Sequence, residues 1–294
     1  MYDAKRKMEN TSIITKGYVH TVIKKRERDI HKGDCGKVLA VAGSKGMAGA
    51  AVLCGRGAYR AGSGLVRIAI CEELFPIVQI GLPEATCVSR DAFLGAHSQY
   101  DEYDAVAIGP GLGDDKKNED IIRNVLREYR GTLVIDADGL NTIARAEMAS
   151  EVRKAEADII ITPHAGEASR LLGLSMDKLK SIGRTETALM LAEKFSAVSL
   201  LKGAGTVVAT PGGEAYINST GNPGMATGGS GDVLTGVIAS LAGQGLRADN
   251  AAKAGVFLHG LAADIAAEKM SQHALMAGDI ADHIGCAVKM IIKV

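Results

Sequence analysis

Residues 37–70 read KVLAVAGSKGMAGAAVLCGRGAYRAGSGLVRIAI and hold the pattern on which the fold depends. A short apolar run, Val38–Ala42, is followed by a glycine-rich turn, Gly43–Gly49, and then by a helical stretch from about Ala50 to Arg60. A second strand candidate, Leu65–Ile70, comes next. Strand, tight turn, helix and strand form the repeating unit of α/β proteins. The stretch therefore predicts an α/β fold with a mostly parallel central sheet flanked by helices.

The same rhythm continues through the first half of the chain. Three further apolar runs are typical of parallel strands buried on both faces, namely Ala105–Ile108, Leu133–Ile135 and Ile159–Ile161. Lys117–Tyr129 carries apolar residues at helical spacing. Polar residues follow the last two runs, and ligands collect beyond the carboxyl ends of parallel strands. These strand ends are therefore candidate site positions.

The second half changes character. Three short strands are predicted at Val198–Lys202, Thr206–Ala209 and Glu214–Ile217, and 211–213 (Pro-Gly-Gly) marks a hairpin. Helices are predicted over Asp232–Ala242, Asp249–Lys269 and from Asp279 to the end. The pattern predicts a short β-meander followed by helices.

One domain over residues 1–294 is predicted, because no linker or shift of composition divides the chain. Residues 1–30 are polar and basic, lack the apolar core of a secretory signal, and are expected to be helical or extended. The 34 basic and 34 acidic residues cancel, so no overall field attracts nucleic acid or an anionic membrane. The five cysteines have no metal-binding or disulfide spacing, which favours a reducing cytoplasm.

The densest glycine run ends at an acid, in Asn222-Pro223-Gly224-Met225-Ala226-Thr227-Gly228-Gly229-Ser230-Gly231-Asp232. Glycines let backbone N–H groups converge on an anion, and a helix N-terminus adds a favourable dipole. Asp232 has two interpretations here. It is the N-cap of the helix that follows, or it is a general base beside an anion site.

Two other segments leave alternatives open. The turn Lys202–Thr206 is either a glycine-rich connection with a solvated lysine or a cradle for a nucleotide phosphate. His164 follows a predicted strand and is equally compatible with packing and with a site, whereas His259 lies in an apolar helix and is interpreted as a satisfied packing residue. The sequence has neither the Walker spacing nor paired histidines at metal-binding spacing.

Seven motifs taken in order resemble the ribokinase-like superfamily, and in particular the ADP-dependent (S)-NAD(P)H-hydrate dehydratases in their form without an epimerase domain. Besides the glycine run and the 201–206 turn, the motifs are HKGDCG at 31–36, AGS at 42–44 with MAGAA at 47–51, GPGLG at 109–113, DADGLN at 136–141 and TPHAGE at 162–167.

This resemblance implies repair of damaged cofactor: phosphate is transferred from ADP or ATP to the hydroxyl of hydrated NADH or NADPH and is then eliminated. It implies Asp232 as the catalytic base, with Ala50, Gly113, His164 and Asp232 facing the hydrate. The nucleotide is expected at Lys202, Gly203, Ala204, Gly205, Thr206, Asn222, Gly229, Ser230 and Gly231. Mg²⁺ is expected on the phosphates, with no dedicated protein ligands.

A homotetramer and a separate epimerase as functional partner are also implied, because thirty N-terminal residues are too few for an epimerase domain. Two rival functions are a ribokinase-like kinase of a vitamin precursor, such as hydroxyethylthiazole, and a non-catalytic nucleotide-binding module.

Overall fold

A computed structural model describes residues 11–94 and 100–292 and places ten strands in one sheet. The strands are β1 (Thr11–Ile14), β2 (Lys37–Val41), β3 (Leu65–Ile70), β4 (Thr86–Ser89), β5 (Ala105–Ile108), β6 (Thr132–Ile135), β7 (Asp158–Ile161), β8 (Val198–Leu201), β9 (Val207–Ala209) and β10 (Ala215–Asn218). Their order is β1-β10-β9-β8-β7-β6-β5-β2-β3-β4. Among these described strands only β9 runs antiparallel to its neighbours, which confirms the mostly parallel sheet and the meander β8-β9-β10.

Helices cover both faces of the sheet. They are α1 (Lys16–Val22), α2 (Ala48–Ala61), α3 (Phe75–Gly81), α4 (Lys117–Glu128), α5 (Ala137–Arg145), α6 (Ala149–Lys154), α7 (Ala165–Leu172), α8 (Met176–Ile182), α9 (Arg184–Phe195), α10 (Ser230–Gly243), α11 (Ala248–Met270) and α12 (Ala277–Ile292). One apolar core lies between the sheet and α1–α3 and α10–α12, and a second lies between the sheet and α4–α9. In the described part of the chain, no helix is both long enough and apolar enough to cross a membrane.

The N-terminal segment contributes a strand as well as a helix. β1 pairs in parallel with β10 at the edge of the sheet, and α1 packs on α11. The buried Lys253 on α11 anchors this segment, since its ammonium lies 4.9 Å from the ring centre of Tyr18 and 4.4 Å from that of Tyr216. Two aromatic faces and the carboxylate of Asp249, at 3.0 Å, compensate the buried charge. Residues 11–22 are thus part of the same sheet and core.

Helices α2 and α10 pack with their backbones in direct contact. A Cβ atom built on Gly236 would lie 1.9 Å from the carbonyl oxygen of Cys54, and one built on Gly57 would lie 2.4 Å from that of Val233. Only glycine fits at both positions, because a side chain would overlap a backbone that cannot rotate away. This contact sets how far the N-terminus of α10 projects above the sheet.

Gly236→Ala is therefore expected to destabilise the protein by about 1–3 kcal/mol or more, because α2 and α10 must separate to admit the methyl group. Gly285→Ala on α12 is the matched control, since a Cβ there meets nothing within 4 Å and alanine favours a helix. Urea unfolding of the three proteins measures the difference. Equal stability of the two variants would contradict the close contact.

Candidate active site

A cavity of about 790 Å³ opens where the carboxyl ends of β6, β7 and β8 meet the N-terminus of α10. Its walls contain most of the residues that the sequence singles out, namely His164, Lys202, Gly203, Ala204, Gly205, Thr206, Asn222, Ser230, Gly231 and Asp232. It is large enough for a small-molecule ligand of nucleotide size. The topology thus brings four distant segments to one place.

The first turn of α10 forms one wall. Its N-cap is Gly229, whose φ of +88° is left-handed. A Cβ atom built on this residue would lie 2.4 Å from Cδ1 of Leu53, so the absence of a side chain leaves room for that leucine. The N–H groups at the start of a helix have no acceptor within it. The N–H of Ser230 donates to the carbonyl oxygen of Thr227 at 3.4 Å, whereas those of Gly231 and Asp232 are available to an anion, as the glycine run predicts.

Asp232 lies in this first turn and is not the helix cap, because Gly229 occupies that position. The cap interpretation is therefore wrong. Burial and the nearby Asp136 raise the pKa of Asp232 to about 7; Lys202 opposes this shift and Asp138 adds to it. A carboxylate that binds a proton near neutral pH is suited to general base chemistry.

Lys202 is held by a buried ion pair. Its Nζ lies 2.5 Å from Oδ1 of Asp136 and 3.9 Å from Oε2 of Glu167. Thr235 on α10 donates from Oγ1 to Oδ2 of the same aspartate at 2.7 Å. Burial alone would lower the pKa of Lys202, but the two carboxylates outweigh it and raise the pKa. The ammonium therefore stays charged, and the interpretation of a solvated lysine is wrong.

The space above this ion pair is open because residue 231 is glycine. A Cβ on Gly231 would lie 3.5 Å from Nζ of Lys202 and 3.8 Å from Oδ2 of Asp136. All three residues line the cavity. A ligand in the cavity therefore meets the helix N-terminus and the lysine together.

The turn after β8 and the loop before α10 complete this end of the cavity. Thr206 donates from Oγ1 to the carbonyl of Gly203 at 2.9 Å. Asn222 accepts from the N–H of Gly224 at 3.0 Å and donates to Asp264 on α11 at 2.9 Å. The Asn222 side chain thus shapes the loop.

His164 caps α7. Its Nδ1 accepts from the N–H groups of Gly166 at 2.9 Å and Glu167 at 3.3 Å, and Glu167 accepts from the N–H of His164 at 2.8 Å. Because Nδ1 accepts, we assign the ring proton to Nε2. The side chain is 54% exposed and caps the helix, so the packing interpretation is wrong; the residue lines the cavity, and its role there stays a prediction.

Three of the predicted site residues lie outside the cavity walls: Ala50, Gly113 and Gly229. Ala50 lies against Gly111, with 2.7 Å between the Cβ positions, and Gly113 donates its N–H to Oδ2 of Asp138 at 2.8 Å. Asp138 is also one of the charges that act on Asp232. Ala50 and Gly113 therefore lie on a second patch, and the charge of Asp138 relates this patch to Asp232.

Sequence reasoning missed the roles of several buried groups. Asp136 and Asp138 stand in a polar strand end that the sequence does flag, whereas Thr235 lies inside an apolar helix and gives no signal. His259 was predicted to be satisfied, yet its Nε2 has no partner among the described residues and the residue lines the cavity. Burial lowers the pKa of His259 to about 4, so the ring is neutral.

The ten-stranded sheet, with a glycine-capped helix and an acid at the carboxyl ends of its strands, defines a ribokinase-like α/β protein. The sequence model of the Carb_kinase family, NAD(P)H-hydrate dehydratase, matches residues 38–285. The chain belongs to this family.

Named relatives agree with this assignment. The chain is 43% identical over 288 residues to the bifunctional NAD(P)H-hydrate repair enzyme of Moorella thermoacetica, covering 94% of this chain and 53% of that protein. It thus spans about half the length of such bifunctional relatives. It is 37% identical to the ADP-dependent (S)-NAD(P)H-hydrate dehydratase of Neisseria meningitidis, with 88% of this chain and 87% of that protein covered.

A solved structure shows the same architecture. The ADP/ATP-dependent NAD(P)H-hydrate dehydratase of Bacillus subtilis, co-crystallised with ATP and Mg²⁺, superposes with a TM-score of 0.86 at 32% identity. The match covers 96% of this chain and 99% of that one. The predicted ribokinase-like fold is therefore confirmed.

Proposed function

We propose that this protein restores NADH and NADPH from their (S)-hydrates in a reaction driven by ADP or ATP. One observation carries the proposal: Asp232, with a pKa near 7, lines the cavity in the first turn of α10, beside the ion pair of Lys202 and Asp136. Membership of the NAD(P)H-hydrate dehydratase family supports the same chemistry.

In the first step the nucleotide occupies the cavity and the hydrate lies along the patch. Asp232 takes the proton of the hydrate hydroxyl, and the oxygen attacks the terminal phosphorus of the nucleotide. The bond from that phosphorus to the shortened nucleotide breaks. The N–H groups of Gly231 and Asp232 stabilise the charge on the transferring group.

In the second step the new phosphate ester leaves. The bond between ring carbon and oxygen breaks, the adjacent ring carbon gives its proton to the departing phosphate, and the double bond of the dihydronicotinamide returns. Phosphate departs more readily than hydroxide, and this difference is the reason for using a nucleotide. The products are NAD(P)H, phosphate and the nucleotide shortened by one phosphate.

Mg²⁺ fits this arrangement as an ion that is bound by the nucleotide phosphates. The described residues hold no group of three or more histidine, cysteine or acidic side chains that could bind a metal by themselves. Asp136 is already paired with Lys202, and Glu167 with the cap of α7. Magnesium bound to the phosphates would neutralise their charge; the residues of this chain supply the proton acceptor and the N–H donors.

The proposal includes the remaining expectations from the sequence. We take residues 1–294 as one catalytic domain, acting as a homo-oligomer in a reducing cytoplasm, with NAD(P)H-hydrate epimerase activity as its functional partner. The single sheet formed by all ten described strands supports the single domain. The bifunctional relatives support the epimerase as functional partner.

Absorbance at 340 nm tests the function. Purified protein, Mg²⁺ and hydrated NADH are expected to give a rise in absorbance only when ADP or ATP is added, and the active nucleotide identifies the donor. Phosphate release is measured in parallel. A flat trace with both nucleotides contradicts the proposal, and a stable phosphorylated product from a vitamin precursor would favour the kinase alternative.

A further inference from the structure

The turn Lys202–Thr206 is supported from outside the cavity by Arg184, the first residue of α9. Nη2 of this arginine donates to the carbonyl oxygen of Leu201 at 3.0 Å and to that of Gly205 at 3.5 Å. One guanidinium therefore connects the two ends of the turn. Arg184 itself does not line the cavity.

Gly203 lets the guanidinium come this close. A Cβ on this residue would lie 2.7 Å from Nη1 and 3.1 Å from Nη2 of Arg184, and its φ of +139° is one that other residues rarely adopt. The planar group thus lies against the backbone of the turn. The N–H bonds of Nη2 lie in the plane of the guanidinium, so both hydrogen bonds to the turn have a fixed direction.

The orientation of the carbonyl groups determines which backbone N–H groups of the turn face the cavity. Those of Leu201 and Gly205 are occupied by Arg184. The N–H groups of Gly203, Ala204 and Gly205 donate no backbone hydrogen bond among the described residues, and all three residues line the cavity.

We propose that Arg184 is a positioning residue for the nucleotide: its guanidinium holds the Lys202–Thr206 turn in the conformation that presents backbone N–H groups to the nucleotide phosphates. The proposal rests on the proposed function only in taking ADP or ATP as the occupant of the cavity. Arg184 touches neither Asp232 nor the first turn of α10, so its effect falls on nucleotide binding.

Arg184→Met is expected to raise the Kd for ADP, measured by calorimetric titration, by about 10-fold or more, because the turn loses two charge-assisted hydrogen bonds. The KM for ADP should rise in parallel. The KM for the hydrate, and kcat at saturating ADP, should stay within about twofold. A merely structural role would lower the melting temperature without producing this split.

Arg153→Met is the matched control. Arg153 also donates to two backbone carbonyls, those of Glu193 at 2.9 Å and Lys194 at 3.3 Å, but at the other end of α9 and away from the cavity. The ADP affinity of the Arg153→Met variant should equal that of the wild type. An equal loss of ADP affinity in both variants, or none in Arg184→Met, overturns the proposal.

Arg184→Lys distinguishes the planar geometry of the guanidinium from its positive charge. A lysine keeps the positive charge but lacks the planar group that lies against Gly203, so ADP binding should remain at least about fivefold weaker than in the wild type. If Arg184→Lys binds ADP with the affinity of the wild type, the positive charge alone is sufficient and the positioning role is overturned. If the wild type binds ADP but does not act on hydrated NADH, the proposed function fails while the ADP titrations still decide the role of Arg184.

Discussion

Asp232→Asn is expected to lower kcat by about 10²- to 10⁴-fold while the protein stays folded and binds ADP with nearly unchanged affinity. Asparagine has almost the same shape but cannot accept the hydroxyl proton. The N–H groups of α10, which we propose bind the phosphates, are unaffected by the change. Single-turnover measurements of NADH formation, with an ADP titration of the same sample, separate the loss of chemistry from any loss of binding.

Asp279→Asn is the control for this experiment. Asp279 also lies in the first turn of a helix, α12, where its Oδ2 accepts from the N–H of Met276 at 2.9 Å, but it is not part of the cavity. Turnover in this variant should equal that of the wild type. Near-normal turnover in Asp232→Asn would show that another group removes the proton.

The raised pKa of Asp232 adds a pH signature. Since the carboxylate is the active form, kcat/KM should fall about tenfold per unit as the pH drops below about 7. The folded pKa exceeds the unfolded value of about 4, so this group lowers stability as the pH rises from about 4 to 7. Asp232→Asn should therefore raise stability at pH 8 by roughly 1–3 kcal/mol and leave it unchanged at pH 3.5.

Lys202→Met is expected to have the second large effect, a loss of about 3–5 kcal/mol in the free energy of unfolding, because Asp136 would be left buried without its partner. Asp136 is 1% exposed and its Oδ1 lies 2.5 Å from Nζ of Lys202. ADP binding should weaken as well, since the ammonium faces the cavity beside Gly231. Urea unfolding measures the stability.

A surface pair and a double variant serve as controls. Lys117 pairs with Asp91 at 3.1 Å with both side chains more than half exposed, so Lys117→Met should cost less than about 1 kcal/mol. Combining Lys202→Met with Asp136→Asn should recover at least about 1 kcal/mol relative to Lys202→Met alone. Strictly additive losses would mean that the two residues do not stabilise each other.

Much of the fold could be read from the sequence, because its signals are local. The apolar runs that became β3 and β5 were predicted with the bounds that the structure has, and α10 begins two residues before the predicted start at Asp232. Buried strands and glycine turns depend on residues that are neighbours in the chain. The edge strands β1 and β4 escaped prediction, since half-exposed strands with polar residues lack a continuous apolar run.

The site was decided by tertiary structure. Lys202 and Asp136 are 66 residues apart, and Thr235, which donates to the same aspartate, is 99 residues from it. Their meeting depends on the order of β6 and β8 in the sheet and on the contact of α10 with α2 at Gly236. Local sequence determined where strands, turns and the glycine-capped helix form. Only the packing of those elements determined which charges share a buried volume, because the distance between strand ends follows from the sheet order, which no local pattern encodes.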